Sequence, residues 1–164
     1  MPLSSVFPRK TNAGFSYIEL LVSVVILGLL ATIAMPLAET TVRRQKETEL
    51  RRALRDIRQG LDAYKQAVTN GKIATQPNDS GYPPSLIELA AGVDDLSHPG
   101  KRLYFLRRVP RDPFATDASL AAIDTWGKRS FASPPSNPRE GVDVYDVYSL
   151  STQTGLNGVL YKDW

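Results

Sequence analysis

The stretch that decides the fold is residues 14–38, which read GFSYIELLVSVVILGLLATIAMPLA. From Leu20 to Ala38 no residue is charged, and Leu, Val and Ile dominate. At about 1.5 Å per residue a helix of this segment spans roughly 28 Å, which is close to the hydrocarbon thickness of a bilayer. Because a backbone in lipid must satisfy its own hydrogen bonds, we predict that this segment is a membrane-spanning helix.

Three interpretations of the apolar segment compete. A cleaved secretory signal would use Arg9 and Lys10 as its basic region, but Thr32–Ala34 and Pro36–Ala38 are poor cleavage sites. A plain membrane anchor has no need of Glu19, because a carboxylate at the edge of an apolar helix is costly and such residues are usually functional. A third interpretation, a processed filament subunit, uses all of these features.

Residues 10–36 resemble the signature of type IV prepilins and type II secretion pseudopilins: a basic leader, a Gly-Phe pair, a glutamate four residues later and a long apolar run. The resemblance implies that a prepilin peptidase cuts between Gly14 and Phe15, and that the new N-terminus of Phe15 is methylated. It implies that Glu19 pairs with the N-terminal amine of a neighbouring subunit, because an unpaired buried carboxylate is unfavourable. The alternative places Glu19 in the headgroup region. Pro36 matches a helix kink that is frequent in the family.

The charges that flank the span favour the opposite topology when they are counted alone. Arg9 and Lys10 precede it, whereas five basic residues follow it closely, so the positive-inside rule would leave the head in the cytoplasm. The resemblance implies instead a single pass through the bacterial inner membrane, with the N-terminus cytoplasmic and the head periplasmic. We give the resemblance more weight.

Four segments follow from this interpretation. They are a cleaved leader at 1–14, a transmembrane and filament-core helix at 15–38, an amphipathic helix at 39–70 and a globular head at 71–164. We expect the two helical segments to be continuous and to stop at Asn70-Gly71.

One face of the amphipathic helix is apolar at spacings of three and four, and we predict that it carries the head. Its members are Leu50, Ala53, Leu54, Ile57, Leu61, Tyr64 and Val68. The other face holds arginines that we interpret as solvated, with Glu47 and Arg51 as an i,i+4 ion pair. These arginines are Arg43, Arg44, Arg51, Arg55 and Arg58.

The head shows signals for one short helix and several short strands. Ser85 with Glu88 is typical of a capping box that opens a short helix. Val, Tyr and Phe are enriched at 129–132, 142–149 and 158–161, which predicts strands there. We therefore predict an α+β fold of the type IV pilin kind, in which a long N-terminal helix packs on a small antiparallel sheet.

A second resemblance lies in the head. The stretch 106–113, leucine-basic-basic-apolar-proline-basic-Asp-Pro, followed by Trp126-Gly127, is similar to the head of the major, G-type pseudopilin. Many such pseudopilins bind calcium in the loop between their last two strands. That loop, residues 150–157, has no carboxylate here, although Asp143, Asp146 and Asp163 flank it. Calcium takes roughly six to eight oxygen ligands, usually including carboxylates, so we expect no cofactor.

Enzymatic function is not expected. The chain has no cysteine and one histidine, His98, which lies in a turn-like stretch after the acidic doublet Asp94-Asp95. No nucleophile–base pair, metal cluster or phosphate loop is apparent. The net charge is +3, and without residues 1–14, which carry Arg9 and Lys10, it is 3 − 2 = +1, which gives little support for nucleic-acid binding.

The resemblance implies a structural subunit of the type II secretion pseudopilus, which drives or scaffolds the export of folded proteins across the outer membrane. The alternative is a type IV pilin or minor pilin in adhesion, motility or DNA uptake. The implied partners are further copies of the chain, other pseudopilins, the prepilin peptidase and methylase, the inner-membrane assembly platform and the membrane itself. No small-molecule substrate is expected.

Overall fold

The computed structural model describes residues 14–164, apart from the side chains of residues 33–38. Helix α1 spans Tyr17–Thr69, so the predicted segments at 15–38 and 39–70 form one continuous helix, with only Phe15, Ser16 and Asn70 outside it. The chain divides into two compact units, with the division between Val42 and Arg43.

The C-terminal end of α1 is fixed by the turn that the sequence predicts. Gly71 has a φ of 70°, in the left-handed region that glycine adopts without a steric penalty. The Gly71 amide donates to the carbonyl of Val68 at 2.9 Å, and the Lys72 amide donates to that of Ala67 at 2.9 Å. This pair of bonds is the Schellman arrangement, which satisfies carbonyls that the helix end leaves open. The predicted stop at Asn70-Gly71 is confirmed.

The predicted apolar face of α1 forms the floor of the core. Leu50 and Ile57 are completely buried, Leu61 is nearly so, and Val68 lies at the edge. Helix α2, Leu86–Ala91, packs on this face through Leu86 and Leu89, both completely buried. The prediction that the head packs on the apolar face of the helix is thus confirmed.

Helix α2 begins with only half of the predicted capping box. The Ser85 hydroxyl accepts a hydrogen bond from the Ile87 amide at 3.3 Å, so the N-cap is confirmed. The carboxylate of Glu88 instead accepts from the hydroxyl of Tyr64 at 3.4 Å. The reciprocal half of the box is therefore wrong, because Glu88 turns towards α1.

Two antiparallel pairs of strands complete the head. Strand β1, Val93–Asp94, pairs with β2, Arg102–Leu103, and neither is among the predicted strands. Strand β3, Trp126–Arg129, pairs with β4, Asp146–Ser149. Helix and small antiparallel sheets together confirm the α+β fold class.

The predicted strand positions need correction. The strand expected at 129–132 ends at Arg129, because the chain turns at Ser130. The Ser130 amide donates to the carbonyl of Arg139, and the Ser133 amide donates to the carbonyl of Ser130. The strand expected at 142–149 is confined to β4, since the Val144 amide donates to Pro83 rather than to a strand. In the range 158–161, only Leu160 forms a bridge, with Thr154, before a 3-10 turn at Tyr161–Asp163.

Candidate functional site

The predicted processing site lies directly ahead of α1. Gly14, Phe15 and Ser16 are outside the helix, which places Glu19 in its first turn. A negative charge is favourable there because it faces the positive end of the helix dipole. The Glu19 side chain is exposed, and within the described residues it forms no salt bridge. Its pairing with a neighbouring subunit stays a prediction.

The apolar side chains that follow Glu19 are exposed around the whole helix. Val25 is 70% exposed, and Leu27 and Leu29 are each 65% exposed. A helix that is apolar on all sides needs a membrane or other protein around it. Within the described residues, however, no helix has both the length and the hydropathy that a bilayer crossing requires. The predicted kink at Pro36 falls in 33–38, whose side chains lie outside the described residues.

A polar cluster connects the second unit's part of α1 to the C-terminal segment, by which we mean residues 150–164. The carboxylate of Glu47 accepts from the hydroxyl of Tyr161 at 3.0 Å and from the amide of Leu156 at 2.7 Å. The guanidinium of Arg43 donates to the same hydroxyl at 3.2 Å and to the carbonyl of Thr154. Glu47 and Tyr161 are buried. Burial raises the pKa of Tyr161; Arg43 opposes this and Glu47 adds to it.

These contacts correct two predictions about the arginine face. The i,i+4 pair of Glu47 with Arg51 is wrong, because Glu47 turns to the C-terminal segment and the Arg51 guanidinium lies 4.3 Å from the Trp164 ring centre. Arg58 is not simply solvated either: it donates to Asp146 at 2.8 Å and to the Trp164 carbonyl at 3.1 Å. Aromatic residues near the C-terminus were the only signal in the sequence for these contacts.

The donor set around 150–157 does not fit a calcium ion. Asp143 accepts from the hydroxyl of Ser130 at 2.6 Å and the amide of Phe131 at 3.0 Å. Burial works to raise the pKa of Asp143, but these hydrogen bonds outweigh burial and keep it below its usual value. Asp146 forms salt bridges with Arg58 and Arg129. Among the described residues, no cluster of three or more His, Cys, Asp or Glu could hold a metal.

The Asp-Pro motif has a structural role in the head. Asp112 is 2% exposed; one carboxylate oxygen accepts from the Phe114 amide at 2.7 Å and the other from the Ser149 hydroxyl at 2.5 Å. The indole N–H of Trp126 donates to the carbonyl of Pro110 at 2.8 Å. The motif therefore joins the loop after β2 to β3 and to the end of β4.

The single histidine is exposed, as predicted, but it is not free of contacts. The His98 Nδ1 lies 2.9 Å from the carboxylate of Asp95, which also accepts from the Ser97 amide at 2.8 Å. The hydrogen bond with His98 lowers the pKa of Asp95. Because all three residues belong to one tight turn that returns the chain to β2, we interpret the pair as a device that holds the turn.

The N-terminal part of the chain matches a known motif. Residues 9–35 match the prokaryotic N-terminal methylation motif. This range includes Gly14, Phe15 and Glu19, whereas Pro36 lies just beyond it. Together with the long helix and the small antiparallel sheets, this match makes the chain similar to pilin-like proteins.

Over most of its length the chain is similar to the type II secretion system core protein G of several bacteria. It is 25% identical over 143 residues to that of Klebsiella michiganensis, with 82% of this chain and 91% of the relative covered. It is 28% identical over 133 residues to that of Pseudomonas aeruginosa, with 81% and 89% covered. It is 28% identical over 162 residues to that of Dickeya chrysanthemi, with 92% and 97% covered. No solved structure matches significantly.

These similarities confirm the predicted resemblance to the major pseudopilin of type II secretion. They also confirm the interpretation of the chain as a structural subunit rather than an enzyme, because it shares the N-terminal methylation motif and is similar to proteins named as core components of the type II secretion system. Assembly with other pilin-like subunits into a filament follows from the same comparison.

Proposed function

We propose that removal of residues 1–14 releases a subunit, methylated on Phe15, that polymerises at the bacterial inner membrane into the pseudopilus of a type II secretion system. The observation that carries this proposal is the placement of Gly14-Phe15 immediately ahead of a helix that has Glu19 in its first turn and apolar side chains exposed all round.

Leader removal and assembly are linked by charge. Before cleavage the Phe15 nitrogen is part of an uncharged amide, whereas cleavage after Gly14 turns it into a cationic amine. That cation is the partner that Glu19 needs if it is to enter a dry filament core. Unprocessed chains would therefore lack the charge that neutralises the Glu19 of a neighbour, and they would not add to the filament.

The apolar part of α1 suits a subunit that moves between two apolar environments. In the bilayer its side chains contact lipid, and in the filament they contact the same segment of other copies. Because lipid tails and apolar side chains are about equally apolar, this transfer involves little change in hydrophobic free energy. The direction of assembly would then depend on Glu19 and on contacts between heads.

The proposal implies a cytoplasmic N-terminus, a single membrane pass and a periplasmic head. Its partners are copies of the same chain, other pseudopilins, the prepilin peptidase and methylase, and an inner-membrane assembly platform. The filament would drive or scaffold the passage of folded proteins across the outer membrane. The similarity to core protein G of type II secretion systems supports this assignment.

The first test is the intact mass of the protein purified from its native membrane. We expect the mass of the chain without Met1–Gly14 and with one added methyl group on Phe15. An uncut chain, or one cut near Ala34 or Ala38, would refute the processing and return the chain to an anchored or secreted domain.

The second test separates assembly from membrane insertion. Glu19→Ala should yield a processed, membrane-inserted protein that forms few filaments, because the amine of a neighbour has no partner. Glu39→Ala is the matched control, since Glu39 is an exposed acid on the same helix. Normal filament yield from Glu19→Ala, measured by shearing and cross-linking, would show that this carboxylate does not guide assembly.

A further inference from the structure

Side chains attach the C-terminal segment to α1. This segment includes the loop at 150–157, which corresponds to the loop in which many major pseudopilins bind calcium. We propose that Arg43, Glu47 and Tyr161 form a metal-independent clamp that holds residues 150–164 on α1, so that the head folds fully without calcium. Hereafter "the clamp" means these three residues. This inference goes beyond the filament assignment, because it concerns the folding of the head whether or not the subunit polymerises.

The clamp meets both kinds of hydrogen-bonding group that the segment presents. The carboxylate of Glu47 takes two donors, the amide of Leu156 and the hydroxyl of Tyr161. The guanidinium of Arg43 supplies a donor to the carbonyl of Thr154. A carboxylate and a guanidinium on successive turns of one helix therefore satisfy an amide and a carbonyl of the same loop, through charge-assisted hydrogen bonds.

The hydroxyl of Tyr161 joins the two charged groups. It donates to Glu47 at 3.0 Å and accepts from the Nε of Arg43 at 3.2 Å. Its ring is completely buried, stacks on Phe114 with 4.0 Å between centroids and meets the Trp164 ring edge-on at 5.0 Å. The polar contacts of the clamp thus sit on an aromatic base that restricts where the hydroxyl can go.

The segment is shaped to receive the clamp without an ion at its centre. The amide of Gly155 donates to the carbonyl of Val159 at 2.8 Å, and Thr154 bridges Leu160, so the loop closes on itself. A Cβ on Gly155 would lie 2.5 Å from the Trp164 ring. The backbone can therefore approach this ring so closely because residue 155 is a glycine. Turn bonds of the chain itself therefore set the loop's curvature.

A divalent cation is disfavoured at this place for two physical reasons. The Arg43 guanidinium donates to the Thr154 carbonyl oxygen and so already places a positive charge beside the loop, which would repel a second cation at close range. The buried carboxylate of Glu47, which contacts the loop, already accepts hydrogen bonds from two protein donors, the Leu156 amide and the Tyr161 hydroxyl. The ion's role of joining distant carbonyls and carboxylates is thus taken by protein groups.

The decisive experiment is thermal unfolding of the full chain in detergent, followed by near-ultraviolet circular dichroism, in EGTA and in calcium. Tyr161 and Trp164 contribute to this signal through their mutual contact. We expect one cooperative transition with the same midpoint in both buffers. A midpoint that rises with calcium and saturates would show that the native state binds the ion, and it would overturn the proposal.

The role of the clamp itself is tested by hydrogen exchange of the C-terminal segment. Glu47→Ala removes the acceptor of the Leu156 amide, and we expect exchange at that amide to accelerate about tenfold or more. Glu49→Ala is the matched control, because Glu49 is exposed on the same helix and accepts a hydrogen bond from the side chain of Gln45. Equal exchange in the two variants would refute the clamp.

Tyr161→Phe provides a second variant that keeps the aromatic base. Only the hydroxyl is lost, so we expect faster exchange of residues 150–164 while the rest of the head stays protected. The effects of Tyr161→Phe and Glu47→Ala should be less than additive in the double variant, because both remove the same bond. Full additivity, or protection that calcium restores in either variant, would contradict a metal-independent clamp.

Discussion

Asp112→Ala is a sharp test of how the head is held together. The carboxylate of Asp112 spans two parts of the fold, since it accepts from the Phe114 amide in its own turn and from the Ser149 hydroxyl at the end of β4. Asp112 is 2% exposed and Ser149 is completely buried. Both partners of the bond between Asp112 and Ser149 are therefore shielded from solvent in the native state.

The magnitude follows from the two bonds. A hydrogen bond to a charged group contributes about 1.5–3 kcal/mol, and a buried hydroxyl left without a partner costs about 1–3 kcal/mol. Because the two penalties at Ser149 overlap, we expect Asp112→Ala to lower the free energy of unfolding by about 3–5 kcal/mol. That is a large share of the ~5–15 kcal/mol that stabilises a typical domain. The free energy of unfolding of Asp112→Asn should lie between those of the wild type and Asp112→Ala, since the amide oxygen of the asparagine still accepts from the Phe114 amide.

The assay is urea unfolding of the full chain in detergent, followed by tryptophan fluorescence, to which Trp126, buried beside the motif, and Trp164 contribute. Asp117→Ala is the matched control: Asp117 also accepts an amide and a hydroxyl, both from Ser119, but it is exposed. Its loss should change the unfolding midpoint far less. If Asp112→Ala lowered stability by less than about 1 kcal/mol, or no more than the control did, the assigned role would be wrong.

Two further predictions concern the contacts of α1 with the head. Burial, with a smaller effect of Glu88, raises the pKa of Tyr64 to about 12. Because the native state then holds this proton more tightly than the unfolded chain, the free energy of unfolding should fall between about pH 10 and pH 12. Alkaline unfolding of Tyr64→Phe should show a shallower fall. Arg58→Met removes the ion pair with Asp146 and should cost about 1–2 kcal/mol, a value reduced by the partial exposure of the pair; in urea unfolding the exposed Arg55→Met should be close to wild type, and equal losses would remove the ion pair as the cause.

The long helix and its attachment to the head could be predicted because their signals are local. The apolar stripe from Leu50 to Val68 repeats at the helical period, and Gly71 marks the stop. The N-cap at Ser85 is equally local. Each of these features depends on residues within a turn or two, which is the range over which a single sequence determines structure.

The strands were placed less well because strand pairing depends on distant partners. Phe131 and Val142 fit the composition of strands, yet both lie outside the sheet, where Asp143 bonds to Ser130 and to the Phe131 amide. A short aspartate that captures a hydroxyl and an amide competes with the ladder for the same backbone groups. Composition alone favoured the strand, and the side-chain bond decided against it.

Glu47 shows why the candidate site was only partly predictable. Its spacing to Arg51 favours a surface ion pair, which contributes little at an exposed position. At a buried position the same carboxylate must have full hydrogen bonding, and the Leu156 amide and Tyr161 hydroxyl supply it. The absence of carboxylates from 150–157 could be read from the sequence, because it concerns only that loop. The groups that take over their role lie more than a hundred residues earlier, and only the folded chain brings them to the loop.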